Sequence, residues 1–169
     1  MGALMSLSGE LCIAAIDPGL TGALAFYFPA LPERVSVEDM PVVANEVDVA
    51  SLARRIRQMG PSFAIVERVG PMPRDGCRQA FGLGTAYAAA KATVTLCEVP
   101  LHLVSPQRWK RHHHLLGVEN GKEAGRALAL RLFPASAEHF ARKKDHNRSD
   151  AALIAAYAAS VPDYAGGAR

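Results

Sequence analysis

The stretch Asp17-Pro18-Gly19-Leu20-Thr21-Gly22 decides the fold, because it stands between two apolar runs and begins with an acid. The runs at 11–16 and 24–28 each have the length and composition of a short strand. The two glycines between them permit a tight reversal of the chain. We therefore predict a β-hairpin that places the Asp17 carboxylate at a strand end, where it can hold a metal ion. Asp-Pro-Gly also occurs as plain turn chemistry, so the stretch alone leaves both interpretations open.

Two further acids occupy comparable positions along the chain. Glu67 ends the apolar run 63–66, and Asp150 opens an apolar C-terminal segment that follows the basic run 142–144. Each also has an ordinary structural explanation. Glu67 would be an exposed strand-end acid paired with a base, and Asp150 would belong to a capping box that begins at Asn147. A helix start can also aim a carboxylate rigidly, so a cap and a functional role are compatible.

The pattern of apolar residues predicts alternating strands and helices over the rest of the chain. We expect a third strand at 34–37, an amphipathic helix at 48–59, a buried strand at 63–66, an Ala- and Gly-rich helix at 77–93, short strands at 95–99 and 101–104, a basic helical segment from 106, and helices at 121–133 and 149–160. Three strands, then helix and strand in alternation, then helices indicate a mixed sheet flanked by helices.

Length and composition predict one domain. The 169 residues fit a single core at about 11–160, with a flexible tail at 161–169. The three cysteines have neither the spacing of a zinc site nor that of a disulfide framework, which predicts a cytoplasmic protein. No apolar run reaches the roughly 18 residues of a membrane span, so we predict no membrane partner. The net charge of +3 says little, but the basic residues bunch at 108–111 and 142–148.

Five short motifs in order resemble the ribonuclease H-like superfamily and, within it, the RuvC-type Holliday-junction resolvases, especially their phage-borne branch. They are Ala15-Ile-Asp-Pro-Gly-Leu-Thr-Gly22, Ala64-Ile-Val-Glu67, Met72-Pro-Arg-Asp-Gly76 with Phe81-Gly82, Pro106-Gln-Arg-Trp-Lys110, and Lys143-Lys-Asp-His-Asn-Arg-Ser-Asp-Ala-Ala-Leu153. Each motif is weak alone, but their order over roughly 14–157 is specific. The resemblance implies an α/β, ribonuclease H-like mixed five-stranded sheet flanked by helices.

The resemblance also implies an activity. It predicts a metal-dependent endonuclease that resolves four-way (Holliday) or other branched DNA junctions by symmetric nicking, leaving 5′-phosphate and 3′-hydroxyl ends. Two Mg²⁺ or Mn²⁺ ions about 4 Å apart would activate water and stabilise the departing oxygen. Asp17 would bridge the ions, with Glu67 and Asp150 as flanking ligands. Symmetric nicking predicts a homodimer, for which the helix at 77–93 is the candidate seam.

The fourth metal ligand is ambiguous. The family usually places an Asp or a His three or four residues before its last Asp, and this chain has Asn147 and His146 there. Both share a helix face with Asp150, whereas Asp145 would point about 140° away. His146 is our choice for the metal-binding and catalytic role, although it would serve equally as a phosphate contact. Asn147 is more typical of a cap.

DNA contacts are predicted for basic and aromatic residues in the segments that adjoin the motifs. They are Arg74, Arg78, Phe81, Arg108, Lys110, Arg111, Lys122, Lys143 and Lys144. Cations there would bind phosphates, and the aromatic ring would stack on an unpaired base. The alternatives are a solvated charged surface for the cations and a core position for Phe81.

Two other classes of protein share features of the sequence. The opening Asp-x-Gly-x-Thr-Gly also begins actin-like sugar kinases and ATPases, but those are far longer and repeat the domain, and this sequence contains no second copy. The other class is a non-cleaving DNA-binding module that retains the nuclease fold. Asn147, in a place where the family has a ligand, is the feature that favours it.

Overall fold

A computed structural model describes residues 10–166 of the chain. The strands are β1 (Ile13–Asp17), β2 (Ala23–Tyr27), β3 (Val35–Asp39), β4 (Val42–Val43), β5 (Glu46–Val47), β6 (Phe63–Glu67) and β7 (Leu101–Val104). The helices are α1 (Val49–Met59), α2 (Cys77–Leu96), α3 (Pro106–His112), α4 (Gly121–Leu132), α5 (His146–Ser160) and α6 (Pro162–Gly166). Two 3₁₀ segments, Pro134–Phe140 and Lys143–Asp145, join α4 to α5.

The main sheet has five strands in the order β3-β2-β1-β6-β7. The hairpin strands β1 and β2 are antiparallel, as are β2 and β3, whereas β6 and β7 run parallel to β1. Helices cover both faces of this sheet, and β4 and β5 form a separate small ribbon. The predicted mixed five-stranded α/β fold is therefore confirmed.

Alternating side chains of the central strand divide the core into two layers. Ile13 and Ala15 pack on one face with residues of α3, α4 and α5. Ala14 and Ile16 pack on the other face with residues of α1 and α2. Because β1 is buried on both faces, it reads as a continuous apolar run, and its end is fixed firmly in the molecule. Asp17, at the end of β1, is therefore held in a fixed position.

Two predicted boundaries are wrong. Residues 95–99 do not form a strand, because α2 continues to Leu96 and the chain then turns before β7. The Thr93 and Thr95 hydroxyls donate to the carbonyls of Ala89 and Lys91, which satisfies these β-branched residues within a helix. The last long helix begins at His146 rather than at 149, so Asp150 lies inside α5 and no capping box starts at Asn147.

The C-terminal segment packs on the main body. Within the tail that the sequence predicts to be flexible, residues 162–166 form α6, and the Tyr164 ring lies 4.8 Å from the His102 ring, centroid to centroid. Residues 167–169 of that tail lie outside the described part of the chain. None of the helices in residues 10–166 has the length and apolarity to cross a membrane.

Candidate active site

Asp17 and Glu67 lie side by side at one edge of the main sheet. They end the parallel neighbours β1 and β6, in which Ile16 is opposite Val66. Asp150 reaches the same place from α5, which packs across β1 and β2. The three acids are close enough for the charges of Glu67 and Asp150 to act on Asp17. The structure thus brings together three acids that are widely separated in the sequence.

A compact turn follows Asp17 and shapes this edge. The Gly22 amide donates to the Gly19 carbonyl at 3.1 Å. A Cβ at Gly22 would lie 2.0 Å from the Asp17 carbonyl oxygen, so only glycine fits there. The Asn147 side-chain amide donates to the Thr21 carbonyl at 2.5 Å, which ties the turn to α5. Asn147 therefore holds the turn in place instead of capping a helix.

Burial disfavours the charged forms of all three acids, and repulsion by neighbouring acids adds to this effect at Asp17 and Asp150. Burial, followed by the charges of Glu67 and Asp150, raises the pKa of Asp17 well above its usual range. Burial raises the pKa of Asp150 to about 7. It also raises the pKa of Glu67, against the opposing effects of a hydrogen bond from Trp109 and of the Lys110 charge. Clustered carboxylates with raised pKa values are typical of functional sites.

Two lysines partly compensate the negative charge of the three acids. The Lys110 ammonium acts to lower the pKa of all three acids, and Lys122 acts similarly on Asp150. Lys110 is held on α3 with its Nζ 5.3 Å from the centroid of the Trp109 ring. The sequence predicts DNA contacts for both lysines, and in the structure their charges act on the acids.

The donor set fits a hard divalent cation. Carboxylate oxygens are the ligands that Mg²⁺ and Mn²⁺ prefer, and a bound cation would stabilise the charged forms that burial disfavours in these acids. Within residues 10–166, no three His, Cys, Asp or Glu side chains converge closely enough to hold one ion as they stand. The acids are therefore neighbours that a cation would draw together rather than a closed cage.

Two cavities open on either side of the Asp17 turn. The first has a volume of about 330 Å³ and is lined by the turn, Asn45, Arg78 and Asn147. The second has a volume of about 560 Å³ and is lined by the other side of the turn, Asp39, Lys144 and His146.

The candidate fourth ligands differ in their surroundings. His146 lines the second cavity, beside Lys144, whereas Asn147 lines both cavities. Asp145 is buried, and its carboxylate accepts hydrogen bonds from the Arg142 backbone amide at 2.9 Å and from the Arg142 guanidinium at 2.8 Å. Asp145 is thus committed to Arg142, and the role of His146 as a ligand stays a prediction.

The remaining predicted DNA contacts are spread over the surface around the site. Arg78 lines the first cavity and Lys144 the second. The others, Arg74, Phe81, Arg108, Arg111 and Lys143, are exposed. Phe81 is 74% exposed on α2, so it does not belong to the core of the chain.

Sequence reasoning missed two residues at the site. Trp109 is buried and its indole Nε1 donates to Glu67 Oε1 at 2.8 Å, although the two residues are far apart in the chain. Asn45, at the tip of the β4–β5 ribbon, reaches the first cavity. The φ angles of Ala44 (48°) and Asn45 (61°) are typical of a two-residue hairpin turn. The Ala-Asn sequence is only a weak indication of such a turn.

Comparison with known proteins agrees with the fold. RuvC of T. thermophilus in complex with a Holliday junction substrate superposes with a TM-score of 0.63 at 18% identity, over 89% of this chain and 96% of that one. A second structure of Thermus thermophilus RuvC gives a TM-score of 0.54 at 19% identity, over 88% and 93% of the two chains.

The sequence comparison gives a shorter match. The chloroplastic Holliday junction resolvase MOC1 of Chlamydomonas reinhardtii is 48% identical over 52 residues, which are 31% of this chain and 6% of that protein. No protein-family model matches the chain. The fold and the shared segment agree with the resemblance seen in the motifs, and the chain has the RuvC-type, ribonuclease H-like fold.

Proposed function

We propose that this chain is a metal-dependent endonuclease, a crossover junction endodeoxyribonuclease that resolves four-way or other branched DNA junctions. The observation that carries the proposal is the meeting of Asp17, Glu67 and Asp150 at one sheet edge of a RuvC fold. A similar fold in complex with a Holliday junction and a segment shared with a Holliday junction resolvase support the choice of substrate.

The acids define the chemistry of the proposed site. Two Mg²⁺ or Mn²⁺ ions held by Asp17, Glu67 and Asp150, with His146 as the fourth ligand, would supply an activated water and stabilise the departing 3′ oxygen. Without cations the carboxylates repel a phosphate. Lys110 and Lys122 reduce that repulsion, and Arg78 and Lys144 attract the backbone from the two cavities.

A homodimer would present two such sites to two strands of like polarity. Helix α2 has an exposed row that suits this contact, in which Thr85, Ala88 and Ala92 recur at helical spacing. All three residues are small, so a partner helix can approach closely. We therefore place the dimer seam on the exposed face of α2.

The test is cleavage of a synthetic four-way junction that carries a label on each strand in turn, with Mg²⁺ or Mn²⁺. We expect paired nicks that DNA ligase reseals, because ligase requires 5′-phosphate and 3′-hydroxyl ends. A linear duplex of the same sequence should remain uncut. If the chain binds the junction and cuts in neither ion, it is the non-cleaving DNA-binding module instead.

Three variants test the acids. Asp17→Asn, Glu67→Gln and Asp150→Asn should each abolish cleavage while junction binding stays equal or tightens, because each removes negative charge that repels phosphate. Asp163→Asn, the same change at an exposed acid of α6, is the matched control and should cleave normally. Normal turnover in any of the first three variants would remove that residue from the proposed site.

A further inference from the structure

Trp109 is the only tryptophan of the chain, and it makes a direct contact with the candidate site. Its side chain is 1% exposed, and its indole Nε1 lies 2.8 Å from Glu67 Oε1, which is also buried. An indole N–H can only donate a hydrogen bond, so this contact fixes Oε1 as an acceptor. The contact engages one of the two carboxylate oxygens.

The position of this indole follows from the strand order. Val104 at the end of β7 is the parallel partner of Glu67, and its carbonyl accepts from the Arg68 amide at 2.7 Å. Pro106 then begins α3, which turns back so that Trp109 faces the end of β6. The indole thus reaches Glu67 because a short segment leads from the end of β7 to α3, and the end of β7 is hydrogen-bonded to the residue that follows β6.

Helix α3 is also tied to the helix that carries Asp150. The His113 ring Nε2 lies 2.8 Å from the Leu153 carbonyl oxygen, and the His113 ring packs edge-on against Trp109 at 6.4 Å between centroids. The indole, the Glu67 carboxylate and α5 therefore form one connected unit. A glutamate has more rotatable bonds than an aspartate, so Glu67 gains most from such a restraint.

We propose that Trp109 is a positioning residue, whose indole N–H fixes one oxygen of Glu67 so that the other binds the divalent cation. The inference rests on the proposed metal-dependent function. Hydrogen bonds from neighbouring residues commonly orient metal ligands, and their loss weakens metal binding about 10–100-fold. A purely structural tryptophan would leave metal affinity unchanged.

The first experiment uses the single indole resonance in a ¹H–¹⁵N spectrum of the protein. Titration with Mg²⁺ should shift this resonance saturably in the wild-type chain. Glu67→Ala should move it upfield, towards the position of an indole without an acceptor. An unchanged resonance in Glu67→Ala would overturn the proposal, because the hydrogen bond would then not exist.

The second experiment compares Mn²⁺ affinity by calorimetry in the wild type and in Trp109→Phe, which keeps an aromatic ring but lacks the donor. We expect binding about 10–100-fold weaker, with cleavage largely restored at high Mn²⁺. Tyr157→Phe, which also removes one polar atom from a buried ring, is the matched control and should bind Mn²⁺ normally.

The outcomes separate the two hypotheses. Equal Mn²⁺ affinity in the wild type and a folded Trp109→Phe overturns the role of Trp109 and leaves the proposed function standing. A wild-type chain that binds neither Mn²⁺ nor Mg²⁺ overturns the proposed function itself. If a thermal melt shows that Trp109→Phe has unfolded, the position of the indole resonance in the wild type and in Glu67→Ala decides whether the proposal stands.

Discussion

Burial raises the pKa values of Asp17, Glu67 and Asp150, and the charges of neighbouring acids add to the rise at Asp17 and Asp150. Such an arrangement works against folding, since each charge is withdrawn from water with too little compensation from Lys110 and Lys122. In the proposed function a bound cation would reverse the balance, because it would supply the missing positive charge. The same property that destabilises the metal-free chain would therefore favour metal binding.

The stability of Asp150→Asn tests this balance. The pKa of Asp150 rises from 3.8 to about 7 on folding, so the folded state holds the proton more tightly. Without metal, the wild type should therefore lose stability as the pH rises through that range, by on the order of a few kcal/mol. Thermal melts in chelator should show Asp150→Asn melting above the wild type at about pH 8, and level with it near pH 4. A lower melting temperature for the variant at high pH would contradict this account.

The candidate site was only partly predictable from the sequence. The apolar runs before Asp17 and Glu67 predict that both acids lie at strand ends, and parallel neighbours bring such ends together. The Trp109 contact has no such signal, because it joins residues 42 positions apart and no local pattern tells where an indole N–H points. The sequence pattern indicates a cap at Asn147, whereas α5 begins at His146 and Asn147 lies inside its first turn.

The fourth ligand can be tested by comparing two variants. If His146 binds metal or handles a proton, His146→Ala should lower single-turnover cleavage much more than Asn147→Ala. The Asn147 variant should mainly loosen the Asp17 turn, because it loses the hydrogen bond to the Thr21 carbonyl. Its melting temperature should therefore fall while its cleavage rate at saturating metal stays close to normal. The reverse order of activities would assign the ligand position to Asn147.

Helix α2 ends later than its sequence pattern predicts. Its Ala- and Gly-rich composition predicts a helix, whereas the β-branched residues of its last turn favour a strand. Burial of Thr93 and Val94 against the sheet, together with hydroxyl hydrogen bonds within the helix, outweighs that preference. Tertiary packing therefore determines where such a helix ends.

The exposed row of α2 leads to a prediction about self-association. Ala88→Arg places a long charged side chain in the middle of the proposed seam and should convert a dimer to a monomer in analytical ultracentrifugation. Junction cleavage should then lose its symmetry, so that nicks on the two strands become independent. Ala127→Arg, the same change at an exposed position of α4, should leave the dimer intact. Dimers that persist in Ala88→Arg would place the seam elsewhere.

The order of the elements along the chain is enough to predict the sheet, because three strands followed by strand-helix alternation allow few topologies. The distribution of charge over the surface was not predictable in the same way. Arg142 and Arg148 belong to basic runs, yet they pair with Asp145 and Asp39. Ion pairs on the folded surface therefore determine which basic residues are available for the proposed DNA contacts. The clustering of basic residues in the sequence does not.

The last prediction separates attraction to phosphate from recognition of branched structure. Phosphate contacts hold any DNA about equally, so the double variant Lys143→Ala, Lys144→Ala should weaken junction and duplex binding together and flatten the dependence on salt. Phe81, which is 74% exposed, can stack only where bases are unpaired. Phe81→Ala should therefore reduce the preference for junction over duplex with little change in salt dependence, since stacking contributes roughly 1–3 kcal/mol per base.

Binding isotherms on both DNAs at several salt concentrations distinguish these effects, and a melt of each variant confirms that it is folded. Ultracentrifugation is also required for Phe81→Ala, because Phe81 lies one helical turn before the row assigned to the dimer seam. A dimeric Phe81→Ala that loses affinity equally for junction and duplex would rule out base stacking. Selectivity for branched DNA would then have to come from the geometry of the dimer, which sets the spacing and angle between the two sites.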